Sequence, residues 1–149
     1  MFNEKLDELE DFRSETPQAF FRFADGILRI SIKSEMIIDL RTIERIEHFR
    51  REMTVGWEIP VLIEVPNDRL LLDTEAFRYM FSEKGMEGCL AKAIVVNAPL
   101  RIFLRNFTAL FQFATQTFRV FRSKSEAHLW LFEFLPKEEE SSEQFSNFV

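Results

Sequence analysis

Glu64 is a carboxylate set inside an apolar run, P-V-L-I-E-V (Pro60 to Val65). A charge in such a run carries a desolvation cost unless it has a partner or reaches water. Near the C-terminal edge of a parallel sheet, where ligands collect, Glu64 reads as the rim of a binding site. The simpler reading, and the one preferred, is an outward residue at a strand end or half of an ion pair with an arginine. Thr74 and Arg78, one helical turn apart, form the second constellation. A phosphate on Thr74 would meet the N–H groups and dipole of a helix start, and Arg78 would pair with it. Asp73 and Glu75 crowd that position with like charge, and a threonine in a first helical turn is ordinary. The other reactive residue types are scattered. His48 lies mid-helix near Glu44, Glu47 and Glu52, on a solvated face. His128 falls between Ala127, Leu131 and Phe132, as a satisfied core or rim residue. Glu44 and Glu47 are read, with Glu8, Glu10 and Glu138 to Glu140, as charges of solvated helical or tail segments. Cys89 is alone, so no disulfide or thiolate metal cluster forms within the chain, and Lys84 and Lys92 are weak candidates for activating it. No zinc spacing, nucleophilic triad or glycine-rich phosphate loop is present. The expectation is a non-enzymatic protein with no metal and no cofactor.

These residues must be positioned by elements that the patterning makes visible. Residues 1–16 are charged, with Phe2, Leu6, Leu9 and Phe12 near a helical period, and read as a lead-in. F-F-R-F-A-D-G-I-L-R-I-S-I-K is a hairpin about Asp25-Gly26, with Leu28, Ile30 and Ile32 on the core face and Ile27, Arg29 and Ser31 on the other. A helix capped by Asp39 runs from Leu40 to Met53 with a stripe of Leu40, Ile43, Ile46, Phe49 and Met53. The strand at Pro60 to Val65 follows. A helix over 74–83 then starts at Asp73, stops at Gly85 and buries Ala76, Phe77, Met80 and Phe81. The apolar run A-K-A-I-V-V is a buried strand, and Asn97 with Pro99 starts a helix over 99–113. The strand F-R-V-F and a helix begun by Ser123-Lys124-Ser125-Glu126, placed for a reciprocal capping box, complete the order β-β-α-β-α-β-α-β-α. That order predicts an α/β domain over 17–136, with a mainly parallel five-stranded sheet, an antiparallel N-terminal edge hairpin and about four helices. The acidic stretch 137–149 reads as a disordered tail.

Composition narrows the function classes. Eighteen Phe, beside one Tyr and two Trp, bring large buried area with no polar tip to satisfy, and raise the prospect of an apolar surface covered by a partner. A net charge of −6 argues against broad nucleic-acid binding. No run approaches the roughly 18 apolar residues of a membrane span. The acidic beginning is unlike a targeting signal, so a cytoplasmic protein is expected.

In order and spacing, D-G-I-L (Asp25 to Leu28), I-I-D-L (Ile37 to Leu40), P-V-L-I-E-V, T-E-A-F-R (Thr74 to Arg78), A-I-V-V-N-A-P-L-R-I-F-L-R-N-F (Ala93 to Phe107) and E-A-H-L-W-L (Glu126 to Leu131) resemble the STAS-like domains. These are the sulphate transporter and anti-sigma-factor antagonist fold, here in the form of small stand-alone bacterial proteins. The resemblance spans about residues 20–135. It implies a five-strand, four-helix module, often paired with itself and mostly without an assigned reaction. The antagonists carry a phosphorylated serine in an Asp-Ser-Ser-Gly-like run; this chain has L-L-L-D-T-E-A-F-R there, with Thr74 the only hydroxyl.

The helix over 99–113 is the strongest interaction lead. Leu100, Phe103, Leu104, Phe107, Leu110 and Phe111 form one apolar stripe, and Ile102, Asn106, Ala109 and Phe113 a second beside it. A helix on one sheet face needs less. The surplus meets either a neighbouring helix or a second copy of the chain, rimmed by Arg101 and Arg105. The reading is a protein-binding module, most simply a homodimer, contacting through Arg101, Ile102, Phe103, Arg105, Asn106, Phe107 and Phe113. The alternative is a carrier of a lipid or other apolar small ligand, since CRAL-TRIO lipid-transfer proteins have a distantly similar layout.

Overall fold

The structure, a computed structural model, describes residues 12–33, 38–65, 73–96 and 115–136. In chain order the elements are β1 (Phe12–Glu15), β2 (Ala19–Ala24), β3 (Ile27–Ile32), α1 (Leu40–Met53), β4 (Ile59–Val65), α2 (Thr74–Phe81), β5 (Cys89–Val96), β6 (Phe118–Phe121) and α3 (Lys124–Phe132). The strands form one sheet in the order β1-β2-β3-β4-β5-β6. The first two pairings are antiparallel and the other three parallel. The α/β class and the mainly parallel sheet are as expected, but the described residues form six strands rather than five. The extra one, β1, lies where a lead-in was expected, so β1 rather than the hairpin forms the N-terminal edge. The helix expected over 99–113 lies outside the described residues.

Local chemistry sets the boundaries. Asp25 (φ 56°) and Gly26 (φ 80°) both take positive φ, which a two-residue hairpin turn of this hand requires. The Asp39 carboxylate accepts the Thr42 N–H at 2.9 Å and caps α1, and this bond holds its carboxyl below the usual range. Asp73 caps α2 by accepting from the Glu75 N–H, and the Ser123 hydroxyl accepts from the Glu126 N–H at the start of α3. That is one half of the expected capping box.

Alternation along the strands divides the core into two layers. On the front face Phe21, Phe23, Leu28, Ile30, Val61, Ile63, Ile94 and Phe118 pack beneath α1 and α2, which contribute Ile43, Ile46, Phe77 and Met80. Phe77, Phe81 and Phe118 meet with ring centroids 5.3–5.7 Å apart. On the back face Ile27, Leu62, Ala91, Ala93 and Val95 pack against Ala127, Trp130 and Leu131 of α3. Helix α3 lies on β4, β5 and β6. No described helix covers the back of β1 and β2, and α3 reaches β3 at Ile27.

The front layer also holds three charges. Glu47 and Arg50 of α1 and Lys92 of β5 are all fully buried, which corrects the solvated-face reading of Glu47. The Lys92 ammonium donates to Glu47 Oε1 at 2.9 Å and to the carbonyls of Met80 at 2.8 Å and Gly85 at 2.6 Å. Arg50 donates from Nε to Glu47 Oε2 at 3.0 Å, from Nη1 to the Glu87 carbonyl and from Nη2 to the Gly85 carbonyl. Each ammonium proton has an acceptor and each carboxylate oxygen a cation, the condition under which buried charges are tolerated. The cluster ties α1 to β5, to the end of α2 and to the turn after it.

Candidate functional site

Sheet register builds the site from residues that are far apart in sequence. Two levels of side chains cross the back face. The first runs Arg13, Arg22, Arg29, Leu62, Ala93, Arg119, one residue from each strand in order. The second, one pleat along, runs Glu15, Phe20, Ser31, Glu64, Val95, Phe121. In the β4–β6 half these positions lie under or beside α3, where Arg119 stacks 5.3 Å from the Trp130 ring and Phe121 meets the same ring at 5.5 Å. In the β1–β3 half no described helix lies across them, and three arginines stand side by side.

The counter-ions of this half are already allocated. Lys33 pairs with Glu15 at 3.1 Å, and Lys124 of α3 pairs with Glu64 at 2.9 Å. Arg13, Arg22 and Arg29 take part in no ion pair among the described residues. The buried Nε of Arg29 has no hydrogen-bond acceptor, and neither ring nitrogen of His128 has a partner. Burial, then Arg29 and Lys124, lower the His128 pKa, and Glu64 and Asp25 act weakly against them, so the ring stays neutral near pH 7. His128 is thus a rim residue as expected, but an unsatisfied one. Phe20 is 50% exposed on this face, with the Lys33 ammonium 4.7 Å above its ring. Arg13, Phe20, Arg22, Arg29, Ser31, Glu64 and Lys124 line an open groove of about 370 Å³.

Like charges directly opposite each other on adjacent strands are destabilising. Edge strands carry such charges to discourage aggregation, but of these three strands β1 alone is at an edge, whereas Arg22 and Arg29 lie on interior strands. Positive charge without an ion-pair partner among the described residues, in an open groove, is the chemistry that suits negatively charged groups. A larger depression of about 530 Å³, beside α1, differs in kind. There Arg51 bonds the Tyr79 hydroxyl and the Lys84 carbonyl, and Glu44 lies among the cations.

Of the residues singled out from sequence, Glu64 lies in the groove, paired with a lysine rather than an arginine. Thr74 and Arg78 are exposed on α2, away from the groove. His48 is exposed and bonded to Glu52, and burial raises the Cys89 pKa. Arg101, Ile102, Phe103, Arg105, Asn106, Phe107 and Phe113 lie outside the described residues. Sequence reasoning missed the arginine row. One signal was available, because Arg22 and Arg29 lie equally far from the Asp25-Gly26 turn and must face each other once the hairpin closes. Among the described residues no group of His, Cys, Asp or Glu is placed to hold a metal ion, and no helix is long and apolar enough to cross a membrane.

Comparison with known proteins places the chain by family alone. None of the curated proteins and none of the solved structures compared with it matches. A family model described as a domain of unknown function, DUF7793, matches residues 21–135, which include most of the sheet, all three described helices and most of the groove, and the chain belongs to that family.

Proposed function

We propose that the chain is a non-catalytic interaction module that docks an anionic partner on the open half of its sheet. The carrying observation is the row Arg13, Arg22, Arg29, which has no counter-ion among the described residues although the chain as a whole is negatively charged. The STAS-like reading belongs to the same proposal, supported by the hairpin leading into parallel strands and by the sequence pieces quoted above. So does self-association through residues 99–113, which rests on their apolar pattern. Docking and pairing are compatible uses of one small domain.

Titration of isotope-labelled protein with inorganic phosphate tests the docking reading. Amide shifts are expected at Arg22, Arg29 and Ser31, on the α3 turn from Lys124 to His128, and little elsewhere. Shifts confined to α1 and α2, or none at millimolar phosphate, would contradict it.

A further inference from the structure

We infer that the docked partner is a short acidic stretch of protein, with two or three neighbouring carboxylates on the arginine row and an apolar side chain beside Phe20. The inference rests on the anion-docking reading and adds the chemistry of the partner. Strands lie about 4.8 Å apart, so the outer arginines of the row are roughly 10 Å from each other. Carboxylates one turn apart on a helix, or at alternate positions of an extended segment, are about 5–7 Å apart and fit two or three to that length. Guanidinium forks bind carboxylates in bidentate fashion, which gives orientation as well as attraction.

The positive strip is only one level deep. At the next level Glu15 and Glu64 stand on either side of Phe20 and Ser31. A nucleic-acid strand, charged at every step, would carry its phosphates past these carboxylates, whereas a local acidic cluster need not. Single strands also call for aromatic faces on which bases stack. Phe20 is the one exposed aromatic among the described groove residues, and the Lys33 ammonium already sits over its ring. What remains accessible beside Phe20 suits an aliphatic contact. The terminal N–H groups of Arg29, whose Nε is buried, are the donors for the first carboxylate, and His128 flanks them on α3.

The test is fluorescence anisotropy on the full chain at low salt with three labelled probes. These are a short peptide of consecutive glutamates between leucines, the same peptide with glutamines, and an oligothymidylate of equal charge. Expected are binding of the glutamate peptide, a loss of about tenfold or more for the other two, and a similar loss for the Arg22→Gln/Arg29→Gln double variant. Circular dichroism establishes that the variant is folded, which relief of like-charge contact favours. Equal or tighter binding of the oligothymidylate would overturn the acidic-segment inference and leave the anion-docking reading standing, as would phosphate shifts in the groove with no peptide binding. Unchanged peptide affinity in a folded double variant would overturn both.

Discussion

Glu47→Ala is expected to destabilise the fold by about 3–5 kcal/mol, although the residue lies on a helix otherwise rich in surface charge. The Glu47 carboxylate is fully buried and sits between two cations that are equally buried. Removing it leaves the Lys92 ammonium and the Arg50 guanidinium with three carbonyls between them, that of Gly85 shared, but two positive charges then face each other in the core without an anion. Hydrogen bonds to carbonyls do not neutralise them, and the structure must open to admit water. Urea unfolding of the variant measures the loss directly. Glu64→Gln serves as a control, because its partner Lys124 is about half exposed and a solvent-screened pair contributes less than about 1 kcal/mol. Equal small losses for both substitutions would mean that the Glu47 cluster is hydrated rather than buried.

Gly85→Ala is expected to lower stability by about 1–3 kcal/mol or more, for a steric reason. A Cβ at Gly85 would strike the carbonyl oxygens of Tyr79 and Met80, which are backbone and cannot turn aside. The turn after α2 would have to move, and its Gly85 carbonyl accepts from both Lys92 and Arg50. Displacing it strains the same buried cluster from the other side. A thermal melt gives the measurement. A melting temperature equal to that of the unaltered chain would show that the turn is free to shift, and the close approach at Gly85 would then have no structural consequence.

Local patterns carried much of the fold. The Asp25-Gly26 turn, the Asp39 and Asp73 caps and the alternation of β3 each rest on residues within a few positions of one another, and each is found in the structure. The charged cluster escaped for a physical reason. Three-residue steps carry the apolar stripe of α1 to Phe49, but a period of 3.6 carries the buried line through Ile43, Ile46, Glu47 and Arg50. Lys92, alone in a strand buried on both faces, was the complementary signal, because a cation there requires an anion from another element. Strand β1 was missed because its pairing with β2 is a tertiary event, and the helical spacing of Phe2, Leu6, Leu9 and Phe12 pointed elsewhere. The arginine row is legible only in part: the Asp25-Gly26 turn sets Arg22 against Arg29, whereas Arg13 joins them only through the pairing of β1 with β2.

If the arginine row serves binding rather than folding, the fold carries it at a loss. Urea unfolding of Arg22→Thr, with and without the glutamate peptide, tests this directly. Threonine suits an exposed strand position, and removing the central arginine relieves repulsion from Arg13 and Arg29 on either side. The variant should be as stable as the unaltered chain or more so, by up to about 1 kcal/mol, and should gain far less from added peptide than the unaltered chain does. A variant less stable by about 1 kcal/mol or more, and still stabilised by the peptide to the full extent, would show that Arg22 holds the sheet together and that the groove is not a docking site.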